Sequence, residues 1–255
     1  MCRFLAYLGE PIFLEDLVCK PRHSLVRQSL RATEAKTVTN GDGFGVGWYG
    51  ERESPGVYHE VMPAWSDQNL LALCANVRSR LFFAHVRAAT GGGISRQNCH
   101  PFQHGPYMFI HNGQIGGYPQ VRRAMETLLP DSLYEHRHGG TDSELLFLLI
   151  VARIEAGAPV LDAVRSVLNE TVILMQSRGI GAPLRFAAAL ADGEQVWAFR
   201  WASDDAPPTL YLKPQPGGWA VASEPLGDDA EAWSTFLPQQ MVHLHSGQQR
   251  ACSLA

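Results

Sequence analysis

Residues 1–9 read MCRFLAYLG: a cysteine directly behind the first methionine, an arginine behind that, and then an alternating, mostly apolar run. The run predicts a β-strand. Two readings of Cys2 compete. As a small apolar residue it opens that strand, because free cysteine packs as a small hydrophobe. With Met1 removed, the same residue carries both a thiol and a free α-amino group, a nucleophile and a base together. The choice depends on what the rest of the chain supplies around it.

Further strand signals follow. In NGDGFGVGW (40–48), Phe44, Val46 and Trp48 share one face while Gly43, Gly45 and Gly47 share the other, a glycine face that lets another segment approach closely. SDQNLLALCANVRS (66–79) predicts a helix with Ser66 as N-cap, and RLFFAHVRAAT (80–90) a strand running into a glycine-rich turn. PYMFIHNGQIGG (106–117) repeats that plan, an apolar strand and then a turn at Asn112-Gly113. TDSELLFLLIVARIEAG (141–157) opens with Thr141 and Glu144 in capping-box spacing and ends at Gly157, with Asp142 in the first turn. A second helix is expected over about 160–177, then a hairpin around Asp192-Gly193, then strands in TLYLK, GWAVASEP and MVHLHSGQQRACSL. Strands, two helices and strands again predict an α+β protein in which sheets pack together under helices. No linker or repeat interrupts residues 1–255, and a single domain is expected.

Composition narrows the function. Apolar residues make up 45% and charged residues 18% of 255, which fits a globular chain with a filled core. The net charge of -4, without runs of Lys or Arg, disfavours nucleic acid as a partner. The five cysteines, Cys2, Cys19, Cys74, Cys99 and Cys252, are odd in number and widely spaced, which predicts reduced thiols and a cytoplasmic location. The N-terminus shows no apolar h-region, so no secretory signal is expected. The longest apolar run, LLFLLIVA (145–152), is far below the roughly 20 residues of a membrane span and predicts a buried helix.

The glycine-rich stretch fits neither G-x-G-x-x-G nor a P-loop. Cys99, His100, His104 and His111 suggest metal ligands only in part, since one half of a zinc spacing is missing; no metal and no cofactor are expected. His136 and His138 read as a solvated loop. An acyl-transfer reading of Cys2 finds more support. A thiol at about 8.5 needs a base, and an α-amino group at about 7.7–8.0 supplies one. HNGQ offers the Asn112 side-chain amide and the Gly113 N–H to an oxyanion. Arg87 suits a carboxylate and Asp142 an ammonium, so together they would hold the two charged ends of an α-amino acid. Singly, each has a plainer reading: a tight turn, a surface ion pair, a helix cap.

Taken in order, MCRF, NGDGFGVGW, FAHVRAATGG, HNGQI, TDSE and ASEPL resemble the class II glutamine amidotransferases of the N-terminal-nucleophile hydrolase superfamily. Within it the chain is similar to stand-alone members, the amidotransferase-like subunit of the fungal glutathione-degradation complex and the ergothioneine-pathway γ-glutamyl hydrolase. The resemblance implies a four-layer αββα sandwich of two antiparallel sheets. It implies Cys2 as nucleophile with its α-amine as base, Asn112 and Gly113 as oxyanion hole, and Arg87, Thr90 and Asp142 as binders of the glutamyl head. Ala88 and Gly91 stand where biosynthetic members carry Trp and His, which changes the glutamate pocket. No synthase domain is expected to follow, and hydrolysis of a γ-glutamyl peptide or of glutamine is the implied reaction. Two alternatives stay open: a glutaminase subunit feeding ammonia to a separate partner, and a silent γ-glutamyl-binding subunit that keeps Met1. A metallopeptidase-like partner is implied by the fungal resemblance alone, no membrane partner is expected, and a homo-oligomer is left open.

Overall fold

The alternation in the first strand sets the layers. Phe4, Ala6 and Leu8 point to one side and Leu5 and Tyr7 to the other, and each set enters a different core. A computed structural model describes residues 2–34, 39–89, 92–204 and 206–254. The first half runs β1 (Arg3–Phe13), α1 (Glu15–Val18), α2 (Leu25–Leu30), β2 (Phe44–Trp48), β3 (Gly56–Glu60), α3 (Gln68–Asn76), β4 (Arg78–Val86), β5 (Phe102–His104) and β6 (Tyr107–Ile115). Four helices follow: α4 (Tyr118–Glu126), α5 (Asp131–Tyr134), α6 (Asp142–Glu155) and α7 (Val160–Ser177). The chain closes with β7 (Leu184–Ala191), β8 (Gln195–Ala202), β9 (Tyr211–Gln215), β10 (Gly218–Ala222), β11 (Ser234–Thr235), β12 (Gln240–His245) and β13 (Gln248–Ser253).

Two antiparallel sheets result, ordered β11-β9-β10-β1-β4-β2-β3 and β13-β12-β8-β7-β6-β5. Between them lies a core that includes Phe4, Ala6, Phe83, Met108, Ile110, Ala187 and Val221. Helices α1, α2 and α3 cover the outer face of the first sheet through Val18, Leu25, Leu70 and Cys74. Helices α6 and α7 cover the second, with every residue from Leu145 to Val151 buried. This is the αββα sandwich expected, and the apolar run 145–152 is a buried helix because it lies between α7 and a sheet. Among the described residues, no helix is long and apolar enough to cross a membrane.

Local signals explain most element ends. Thr141 accepts from the Glu144 amide at 3.2 Å, half of the capping box. The Glu144 carboxylate does not complete it; it accepts from the amides of His138 at 2.9 Å and Gly139 at 2.8 Å. The glycine face of β2 is a close approach, since a Cβ on Gly45 would sit 2.1 Å from the His100 carbonyl oxygen. Two expectations need correction. Helix α3 is capped by Asp67, which accepts from Leu70 at 2.7 Å, while the Ser66 hydroxyl turns back to Pro63. The chain also does not turn at Asn112-Gly113: β6 continues to Ile115, paired with β7, and the turn comes at Gly116-Gly117. Pairing overrides the local turn signal because Gly113 lets the Arg185 carbonyl come within 1.9 Å of where a Cβ would stand.

Candidate active site

Cys2 lies immediately before β1, a strand flanked by β10 and β4 near the middle of its sheet. The register Arg3 opposite Val86 sets Cys2 beside the end of β4. Its thiol reaches the Ala88 carbonyl at 3.5 Å and accepts from the Ala88 amide at 3.4 Å. By alternation Cys2 shares the face of Phe4 and Ala6, the one that looks at the second sheet. Burial pushes the thiol up; the Ala88 hydrogen bond and the charges of Arg87 and Arg3 oppose it. The thiol hydrogen-bonds a backbone rather than an imidazole, so the base must come from elsewhere.

Across the inter-sheet layer, β6 continues from Met108 and Ile110 to Asn112 on the same face, and β1 and β6 are in contact. Asn112 is 1% exposed, and its Nδ2 has no hydrogen-bond partner among the described residues. A buried donor with nothing to bond is costly, by about 1–3 kcal/mol. A substrate oxygen would satisfy it. Its neighbour His111 is already paired, sharing a hydrogen bond with Ser143 Oγ at 2.8 Å on the helix side of the sheet.

Arg87 is buried at the end of β4, where its amide donates to Gly43 at 2.8 Å and its carbonyl accepts from Asp42 at 3.0 Å. Its Nη1 lies 3.5 Å from the Asp42 carbonyl, and the Asp42 carboxylate accepts from Ala89 at 2.8 Å. Asp42 therefore fixes the β4 exit from both sides. Asp142 is the first residue of α6, where its carboxylate accepts from Ile115 at 2.8 Å and from Ser143 at 2.9 Å. Those bonds leave a carboxylate oriented on a helix start. Gly92 lies between Arg87 and the cap of α6: a Cβ there would be 3.4 Å from Asn98 Nδ2, 3.7 Å from Thr141 Cγ2 and 3.9 Å from Arg87 Nη2.

Beside Asp142 opens a cleft of about 560 Å³, lined among others by Gly92, Gly93, Gln114, Arg122 and Thr141. Cys2, Arg87 and Asn112 are not among its lining residues. A separate cavity of about 260 Å³, lined in part by His59, Arg96, Phe102 and His136, holds none of the predicted residues. Thr90, Gly91 and Met1 lie outside the described residues, and with them the expectations for the threonine, for Gly91 in the glutamate pocket and for methionine removal.

The residues weighed as metal ligands go separate ways. Cys99 reaches the carbonyls of Glu60 and Ser95, His100 lies tilted against His85 with ring centroids 4.2 Å apart, and His104 meets His136 edge-on at 4.6 Å. Burial, aided by Arg87, drives His85 down to about 3, so this ring is neutral at ordinary pH. All five cysteines are free thiols.

Two structural groups escaped the sequence reading. Asn98 is buried and braces two loops, donating to Gly93 at 2.7 Å and accepting from Gly140 at 2.9 Å. It stands in NCHPF, where the neighbouring Cys and His carry the stronger chemical signal. Arg3 and Glu224 form a buried ion pair at 2.8 Å behind Cys2. Only the ASEPL motif hinted at the second partner.

Known proteins resemble this chain in sequence and fold. The model of the class-II glutamine amidotransferases matches residues 19–207, a segment that includes Arg87, Asn112, Gly113 and Asp142 but not Cys2. "Probable glutamine amidotransferase DUG3" of Saccharomyces cerevisiae is 37% identical over 164 residues, 61% of this chain and 46% of that protein. The chain thus spans about half the length of this yeast relative. The gamma-glutamyl-hercynylcysteine sulfoxide hydrolase of Mycolicibacterium smegmatis is 30% identical over 246 residues, 95% of each chain. A solved glutamine aminotransferase class-II domain protein from Silicibacter pomeroyi superposes over 100% of both chains with a TM-score of 0.76 at 34% identity. With a sandwich of this topology and a family match that runs through both sheets, the chain belongs to the class II glutamine amidotransferases.

Proposed function

We propose that this protein hydrolyses a γ-glutamyl amide bond through a thioester on Cys2. The observation that carries the reading is the buried, unpartnered Asn112 amide on β6, a strand in contact with β1, which Cys2 immediately precedes. In the first step the Cys2 sulfur bonds to the γ-carbonyl carbon, and the proton of the thiol passes to the α-amine. The oxyanion takes hydrogen bonds from Asn112 Nδ2 and the Gly113 N–H. The amide C–N bond then breaks, and the leaving amine departs with a proton from the α-ammonium group. Water, deprotonated by the same amine, attacks the thioester; the C–S bond breaks and glutamate leaves. Arg87, with Thr90 beside it in sequence, binds the glutamyl α-carboxylate, and Asp142 binds the α-amino group.

Gamma-glutamyl peptides of the glutathione kind are the first substrate class, because the M. smegmatis relative, aligned over 95% of both chains, is named for a γ-glutamyl substrate. Glutamine is second, favoured by the name of the yeast relative; in that reading a separate subunit would take the ammonia. Five free thiols support a reducing, cytoplasmic setting. The test is intact-protein mass spectrometry before and after treatment with 6-diazo-5-oxo-norleucine. A mass lacking methionine with one adduct on Cys2 supports the reading. Retained Met1 and no adduct would leave the silent binding subunit in its place.

A further inference from the structure

We propose that Arg3 and Glu224 form a positioning clamp that fixes the Cys2 carbonyl, and thereby the orientation of the Cys2 thiol and α-amine. The proposal rests on the reading of Cys2 as nucleophile and adds residues to which that reading gives no role.

The physical need is plain. Once Met1 is gone, Cys2 is a chain end held on one side only, and ladder pairing begins at Arg3. Rotation about the Arg3 N–Cα bond would swing the Cys2 carbonyl, thiol and amine together away from the substrate, and a misplacement of about 1 Å can cost roughly 10²-fold in rate. The Cys2 carbonyl is the one handle available from behind. Arg3 takes it: its Nη1 donates to the Cys2 carbonyl oxygen at 3.1 Å, while its Nε donates to Glu224 Oε2 at 2.8 Å. Alternation sends the Arg3 side chain to the face opposite Cys2, so the clamp grips without occupying the reacting side.

The clamp is itself anchored. Glu224 Oε1 accepts from His23 at 2.5 Å and from the Thr33 amide at 2.9 Å, and Oε2 accepts from the Glu34 amide at 3.1 Å. The Thr33 hydroxyl bonds Oε1 as well. Ser223, the residue before, accepts from the Phe4 amide at 2.9 Å, and its own amide donates to the Phe4 carbonyl at 3.1 Å. The tripeptide Cys2-Arg3-Phe4 is thus gripped by Ser223 and Glu224 from the end of β10. Both ion-pair side chains are 1% exposed. A pair buried this deeply adds little stability over an apolar pair of the same size. Its value lies in where it holds the chain.

The experiment uses the full-length protein with Met1 removed, verified by mass, and γ-glutamyl-p-nitroanilide as substrate. Arg3→Met with Glu224→Gln removes both buried charges together. The expected result is a folded protein whose kcat falls by roughly 10²-fold while KM changes by less than about threefold. Labelling of Cys2 by 6-diazo-5-oxo-norleucine slows in parallel, whereas alkylation of Cys2 by iodoacetamide, compared at a pH where the thiol is fully ionised in both proteins, keeps its rate. A folded double variant with kcat within about threefold of the parent overturns the clamp. If the double variant does not fold, Glu224→Gln alone is read the same way, with a drop of about tenfold expected and an unchanged kcat overturning the proposal. Parent protein that neither turns over the anilide nor labels at Cys2 rejects the nucleophile reading itself, and the clamp's catalytic role with it.

Discussion

The two ends of the site are built differently. Cys2 stands at the start of the central strand of one sheet and Asn112 in the penultimate strand of the other, each strand paired on both sides. Asp142, Gly92 and Gly93 sit at a helix start and in a glycine loop, joined across the cleft by one side chain, Asn98. Bond making tolerates little error in distance, and ladders hold atoms to it. Binding a head group tolerates more, and loops can change without disturbing the sheets. The strand end should therefore govern kcat, and the loop end KM.

Mutations test that division in order of effect. Cys2→Ala should abolish release of glutamate while leaving thermal unfolding near the parent's; an active Cys2→Ala protein would break the comparison at its stronger end. Asn112→Ala should lower kcat by roughly 10²–10³-fold with little change in KM, as for loss of one oxyanion donor. A steady-state assay showing an unchanged kcat removes Asn112 from the site. Asp142→Asn keeps the volume and an acceptor for the Ile115 amide but loses the charge, so kcat/KM should fall by about 10- to 100-fold, mostly through KM. Asn98→Ala touches no substrate atom in this arrangement; KM should rise by only about three- to tenfold as the two walls of the cleft lose their brace. Equal effects on kcat and KM at Asp142 and Asn112 would erase the distinction between the two ends.

Acid sharpens the comparison in stability rather than rate. Burial alone would raise the Glu224 carboxyl, but His23, Thr33 and Glu34 overcome it and bring it to about 2 from an ordinary 4.5. The folded state therefore binds fewer protons than the unfolded chain between those values. The stabilisation, roughly 3 kcal/mol, is complete above about pH 5 and is lost as pH falls toward 2. Denaturant melts of the parent and of Glu224→Gln over this range should differ most near neutrality and converge in acid. Parallel curves would mean that Glu224 titrates alike in both states.

Much of this was legible in the chain. Thr141 as cap, the helix over 160–177 and the hairpin at Asp192-Gly193 are local events, governed by residues within a turn of one another. Asn112 and Gly113, proposed here as oxyanion donors, were given the wrong backbone. Asn-Gly is a turn signal when only its neighbours are considered, and here a partner strand more than seventy residues away holds it extended. Arg3 and Asn98 were passed over for a related reason. Their partners, Glu224, Gly93 and Gly140, are scattered, and a buried polar side chain has no periodicity that would betray it.

The sequence by itself determined the elements and the candidate reacting groups, because helix caps, strand alternation and the functional group of a side chain are properties of a few adjacent residues. Only the tertiary structure decided which donor stays unpaired, which face Cys2 looks from, and what holds it from behind. Those depend on sheet stacking and strand register, in which residues 221 positions apart come within hydrogen-bond distance.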